Sequence, residues 1–149
     1  MSIRPQRFGL LVLALLLAAC ASHPSEDLEP AGLEGGVEIQ GGATVISGVT
    51  LENETGSVLD ALAGRVPNFR IRRISGKCPQ INLRTSVSFE SVTNPHVYVD
   101  GTQIGDTCVL ESLRAQNVEL VEIYPMGGTT RPGYATHSHG LILVFMRSG

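Results

Sequence analysis

Six consecutive residues, Leu141-Ile142-Leu143-Val144-Phe145-Met146, are all apolar. Successive side chains of a strand point to opposite faces, so a strand with one wet face alternates apolar and polar positions. An unbroken apolar run of this length is a strand covered on both faces, and hence central in its sheet. It is far too short to cross a membrane as a helix. The run therefore asks for neighbouring strands on either side and for packed layers above and below.

The chain supplies candidates for each. Val118 to Tyr124 reads as a strand, as does His96-Val97-Tyr98-Val99, which runs into the turn signal Asp100-Gly101. Phe69-Arg70-Ile71-Arg72 and Ile81-Asn82-Leu83-Arg84 alternate, and Thr44-Val45-Ile46 opens the folded part. A helix is predicted from Ser57 to about Ala63, with Ser57 and Asp60 spaced as a capping box and Gly64 at its end. A second helix fits Cys108 to Ala115, capped by Asp106 or Thr107. Pro125 to Gly133 is a loop with three glycines and two prolines, and Thr85 to Asn94 has no clear pattern. The expected fold is α+β, a small mixed sheet with two packed helices.

Ahead of this lies a different kind of sequence. Arg4 and Arg7 precede a short apolar run, Phe8 to Ala19, which together read as a secretion signal over residues 1–19. Leu17-Ala18-Ala19-Cys20 resembles the bacterial lipobox, which implies cleavage before Cys20 and diacylation of its thiol. Each buried acyl CH₂ contributes about 0.8 kcal/mol to membrane binding, so several chains hold far better than one. Ala21 and Ser22, with no Asp after the Cys, imply sorting to the outer membrane with the domain facing the periplasm. Residues 20–43 are rich in Gly, Ser, Pro and Glu and read as a flexible acidic tether, spanning on the order of 25–30 Å. The folded domain is then 44–149. Loss of both leader arginines takes the formal net charge from −3 to −5, and no basic stripe exists, so nucleic acid is not expected as a partner. With Cys20 acylated, Cys78 and Cys108 remain as an even pair, to be satisfied by a disulfide or by two separate buried thiols.

From Ser57 to Met146 the order of local motifs resembles the plug domain of TonB-dependent outer-membrane receptors. Ser57-Val58-Leu59-Asp60-Ala61-Leu62-Ala63-Gly64-Arg65-Val66-Pro67-Asn68-Phe69 is similar to the family's opening helix and its "VPGV" turn. Ile81-Asn82-Leu83-Arg84 stands where the family has "I-x-I-R-G", and Val97-Tyr98-Val99-Asp100-Gly101 where it has its hydrophobic-hydrophobic-DG hairpin. Val118-Glu119-Leu120-Val121-Glu122-Ile123-Tyr124 resembles the "I-E-x-I-E-V" strand, and Tyr134-Ala135 with His139-Gly140-Leu141-Ile142-Leu143-Val144 the "YG…GGVINI" close. Met126-Gly127 departs from the family's "RG". The sequence ends soon after the plug-like part and has no convincing TonB box, so the resemblance implies a free-standing plug-like lipoprotein without a barrel of its own.

Catalytic motifs are missing. There is no G-x-S-x-G nucleophile elbow and no G-x-x-x-x-G-K-[ST] phosphate loop. Glu119 and Glu122 are three apart on a strand and face opposite sides. His137 and His139 share a side of an extended segment and suggest the start of a metal site, but no third ligand stands near them in sequence. They read as exposed loop residues, and His96 as an outward-facing strand residue. No catalytic, metal or cofactor site is expected. The expected function is recognition of a protein partner or small ligand by a lipid-anchored module, through Met126, Thr129, Arg131 and Tyr134, with Arg131 holding an anionic group. The alternatives are a structural or assembly subunit of an outer-membrane receptor or envelope complex and, less favoured, a siderophore or metal binder.

Overall fold

The computed structural model describes residues 36–84 and 94–148, all of them in the compact unit Gly32–Gly149. The leader, Cys20 and most of the tether lie outside the described residues, as does nearly all of the unpatterned stretch from Thr85 to Asn94.

Six strands form one sheet in the order β1-β2-β7-β8-β5-β6: β1 Val37–Gln40, β2 Ala43–Ser47, β7 Val118–Tyr124, β8 Leu141–Met146, β5 His96–Val99 and β6 Thr102–Ile104. The all-apolar run is β8, two strands in from β6. It pairs antiparallel with β7 and parallel with β5, which makes the sheet mixed. Its side chains divide between two layers. Ile142 and Val144 join Val121 and Ile123 of β7 and Val97 of β5 under the helices α1 (Val49–Glu52), α2 (Val58–Ala63) and α3 (Val109–Ser112). Leu141 and Leu143 join Tyr98, Tyr124 and Ala43 on the other face. Each fully buried Leu or Ile here is worth roughly 1.5–3 kcal/mol. β3 (Arg70–Arg72) and β4 (Gln80–Asn82) form a separate two-stranded sheet instead of joining the main one.

The opening helix is as expected. Ser57 Oγ accepts from the Asp60 amide at 3.2 Å, and Asp60 Oδ2 accepts from the Ser57 amide at 3.2 Å, which completes the capping box. Asn68 adopts φ 62 at the position where the "VPGV" turn carries glycine, a conformation that asparagine tolerates better than most residues. Asp100 (φ 46) and Gly101 (φ 81) are both left-handed, as a tight hairpin between β5 and β6 requires.

Four readings need correction. Val37–Gln40, assigned to the tether, is strand β1, so ordered structure starts before Thr44. The helix expected from Cys108 to Ala115 stops after Ser112. Leu113 turns extended and its carbonyl accepts the Val58 amide at 2.9 Å, while the Ala115 amide donates to Gly56 O at 3.2 Å. Those bonds serve the start of α2, and a short 3₁₀ turn, Ala115–Asn117, follows. The N-cap of α3 is Cys108 itself, although Asp106 Oδ1 accepts the Cys108 amide at 2.9 Å. Finally, there are three short α-helices among the described residues, not two.

Of the two states left open for the cysteines, the structure has the disulfide. Cys78 and Cys108 are bonded across 30 residues with Cα atoms 4.7 Å apart. Beside it the buried Thr107 hydroxyl donates to Pro79 O. Together they fasten the approach to β4 onto the start of α3.

Candidate functional site

The segment 125–140, between β7 and β8, lies over the sheet face away from the helices. Two aromatic contacts hold it there. Tyr134 meets Tyr98 edge to face at 5.0 Å, and the Arg131 guanidinium stands 4.9 Å from the Phe145 ring centre. Arg131 also grips Glu122 with two bonds, Nε to Oε2 at 2.7 Å and Nη2 to Oε1 at 2.6 Å. Glu122 is only 6% exposed, so without this fork it would be an uncompensated buried charge. The Tyr124 hydroxyl donates to Glu122 Oε2 at 3.0 Å. The hydrogen bonds that Arg131 donates to Glu122, with a lesser contribution from the Glu122 charge, hold the Arg131 pKa above its ordinary value. Burial pushes the Tyr124 phenol up. Glu119 is exposed and Glu122 buried, so the two carboxylates do stand apart.

The expected contact residues thus divide. Arg131 is committed to Glu122 and not offered to an outside anion, which corrects its assigned role. Tyr134 is turned in towards Tyr98, and Thr129 Oγ1 accepts the Arg131 amide at 3.0 Å. Met126 alone of the four projects fully, at 76% exposed. Its neighbour Gly127 is pinned: its φ is 74, and its carbonyl accepts the His137 amide at 3.1 Å. A Cβ there would fall 1.6 Å from His137 O.

The histidines also depart from expectation. His96, at the start of β5, and His137, in the segment, stack with ring centres 3.6 Å apart and planes 16° apart, and His139 lies 5.5 Å from His137. All three are half-buried, so neither the exposed-loop reading nor the outward-facing reading holds. The parallel β5–β8 pairing makes the meeting: the His96 amide donates to Gly140 O at 3.1 Å. Gly140 permits it with φ 102, since a Cβ there would come within 2.6 Å of Leu83 Cδ1 and 3.0 Å of Tyr124 O. Burial, and secondarily the neighbouring His137, hold the His96 pKa below its ordinary value.

On the opposite side of the molecule's core, a polar cleft of about 510 Å³ runs beside α2 and α3. Arg73 crosses it to Asp60 at 3.1 Å and Glu111 at 3.2 Å. These exposed ion pairs close the cleft's charge on itself and contribute little to stability. Cys78, Asp106 and Cys108 also cluster, but both sulfurs are spent on each other.

No family model matches the chain, and no curated protein matches it. Solved structures do. The RagAB peptide importer in its closed-closed state superposes with TM-score 0.54 at 18% identity over 75% of this chain, and its open-open state with TM-score 0.55 at the same identity and coverage. The copper transporter OprC covers 80% of this chain at 15% identity, with TM-score 0.48, too low to bear an argument. The chain spans 13% of the RagAB chains it matches. At this identity the likeness concerns the fold: α+β, of the kind found as the plug of TonB-dependent receptors.

Proposed function

We propose that the protein is a non-catalytic, lipid-anchored module of the outer membrane whose plug-like domain recognises a protein partner from the periplasmic side. The observation that carries this reading is Met126, 76% exposed on a segment that Arg131 and Tyr134 pin to the sheet and the His137 amide ties to Gly127 O. A large apolar side chain on a preorganised loop gains contact area without the ordering cost a floppy loop would bear. The plug-like fold favours a receptor or other envelope protein as the partner. Anchorage rests on Cys20: labelled palmitate should enter the wild-type chain and not the Cys20→Ser variant.

Partner recognition is tested by co-purification from detergent-solubilised membranes. A stable large partner is expected with the wild-type chain and a marked loss with Met126→Glu. A chain that behaves as a monomer in both cases overturns it and leaves small-ligand binding. A second reading, as an assembly subunit, is favoured by β1. At the edge of the sheet among the described residues, this strand presents Val37 at 42% and Ile39 at 77% exposure, an apolar row to which another strand can add. A partner retained by Met126→Glu but lost with Ile39→Lys selects that reading.

A further inference from the structure

We propose that His96, His137 and His139 form a binding site for a divalent late first-row transition ion, of the copper(II) or zinc(II) class. The inference does not depend on the partner-recognition reading.

Three observations lead to it. The first is spacing. Two imidazoles on one tetrahedral ion, with metal–nitrogen bonds of about 2.0–2.1 Å, have ring centres roughly 5 Å apart and are inclined to each other. His137 and His139 stand 5.5 Å apart with planes at 49°.

The second is unmet bonding capacity. Nδ1 of His96 and Nδ1 of His137 are both shut off from solvent with no hydrogen-bond partner. A buried polar atom left so is costly, and native interiors rarely keep two side by side. Among the described residues no carboxylate forms an ion pair with any of the three rings, so nothing competes by holding them charged. Neutral imidazole is the form that ligates, and it suits copper, zinc and nickel.

The third is a fixed backbone. The His137 amide is bonded to Gly127 O, the Gly140 amide to His137 O at 3.0 Å, and the His96 amide to Gly140 O. Glycine is required at both Gly127 and Gly140, so the corner that carries the rings is rigid. Only side-chain rotation remains. At 3.6 Å face to face, His96 and His137 are too closely stacked for both to reach one ion. Binding would therefore swing His96 off the stack to present its nitrogen edge-on as the third ligand, leaving a fourth position for water or a partner's group.

The test uses the full chain in detergent, purified without a histidine tag, and isothermal titration with Zn²⁺ and separately with Cu²⁺ near neutral pH. One ion per chain is expected. His137→Asn, His139→Asn and His96→Asn should each weaken binding at least ten-fold while the metal-free melting temperature of the His139→Asn protein stays near wild type. The Cu²⁺ form should show imidazole nitrogen couplings in its electron paramagnetic resonance spectrum. Absence of binding by the wild-type chain overturns the site, as does full affinity in either the His137 or the His139 variant. Full affinity in His96→Asn overturns the three-ligand arrangement.

Discussion

Arg131 illustrates how a side chain that looks free in the sequence is spent inside the fold. Its fork closes on a nearly buried carboxylate, and its guanidinium covers Phe145. Arg131→Ala should cost about 2 kcal/mol in urea unfolding, the range for hydrogen bonds to a charged group, moderated because the Arg131 side chain is 43% exposed. Adding Glu122→Gln should recover part of that loss, because the stranded charge is then gone; a double variant that loses the full sum of the single effects would contradict the coupling. Neither partner advertises this in sequence. Glu122 sits in a strand that carries a second carboxylate at Glu119, and only the segment folded over its face reveals that it is buried. The histidine meeting was equally hidden. His96 and His137 are far apart in the chain and are brought together by a parallel strand pairing, which no local pattern encodes.

At the scale of elements, what could be read was what announces itself locally. β7 and β8 are long, apolar and bounded by turns, and α2 carries its own start signal in Ser57 and Asp60. β1 does alternate, Val37-Glu38-Ile39-Gln40, but it is only four residues long between glycine pairs inside a Gly- and Glu-rich stretch, which masks the signal. α1 is a single turn with no side-chain cap, and α3 is cut short by the needs of α2, not by its own residues. The capping box has a measurable acid signature. The Ser57 hydrogen bonds, side chain first and backbone second, hold the Asp60 pKa below its ordinary value, with Arg73 adding to this. A carboxylate with a depressed folded pKa contributes stability that is complete above its unfolded value, near 4, and is lost as pH falls through the folded value. Asp60→Asn should therefore flatten the fall in stability below about pH 4, and Ser57→Ala should cost about 1 kcal/mol at neutral pH. An unchanged acid limb in Asp60→Asn would show that other carboxylates govern it.

For the molecule as a whole, the sheet is two-faced by construction: helices cover one side and the segment 125–140 the other. The plug resemblance read from motif order agrees with this architecture, since those motifs are the turns and strands that set it. The cross-link adds to the core. Closing a loop of 30 residues is worth roughly 3–4 kcal/mol in the chain-entropy account, so the Cys78→Ser, Cys108→Ser double variant should unfold at correspondingly lower denaturant. Equal midpoints for the oxidised and double-variant proteins would refute that contribution.

The same cross-link decides what proteolysis looks like. The covalent ring from Cys78 to Cys108 holds β4, β5 and β6. A protease that cuts one bond anywhere inside that ring severs the chain but not the molecule, because each fragment keeps one of the bonded sulfurs. A singly nicked protein would run as one band on a non-reducing gel and as two after reduction.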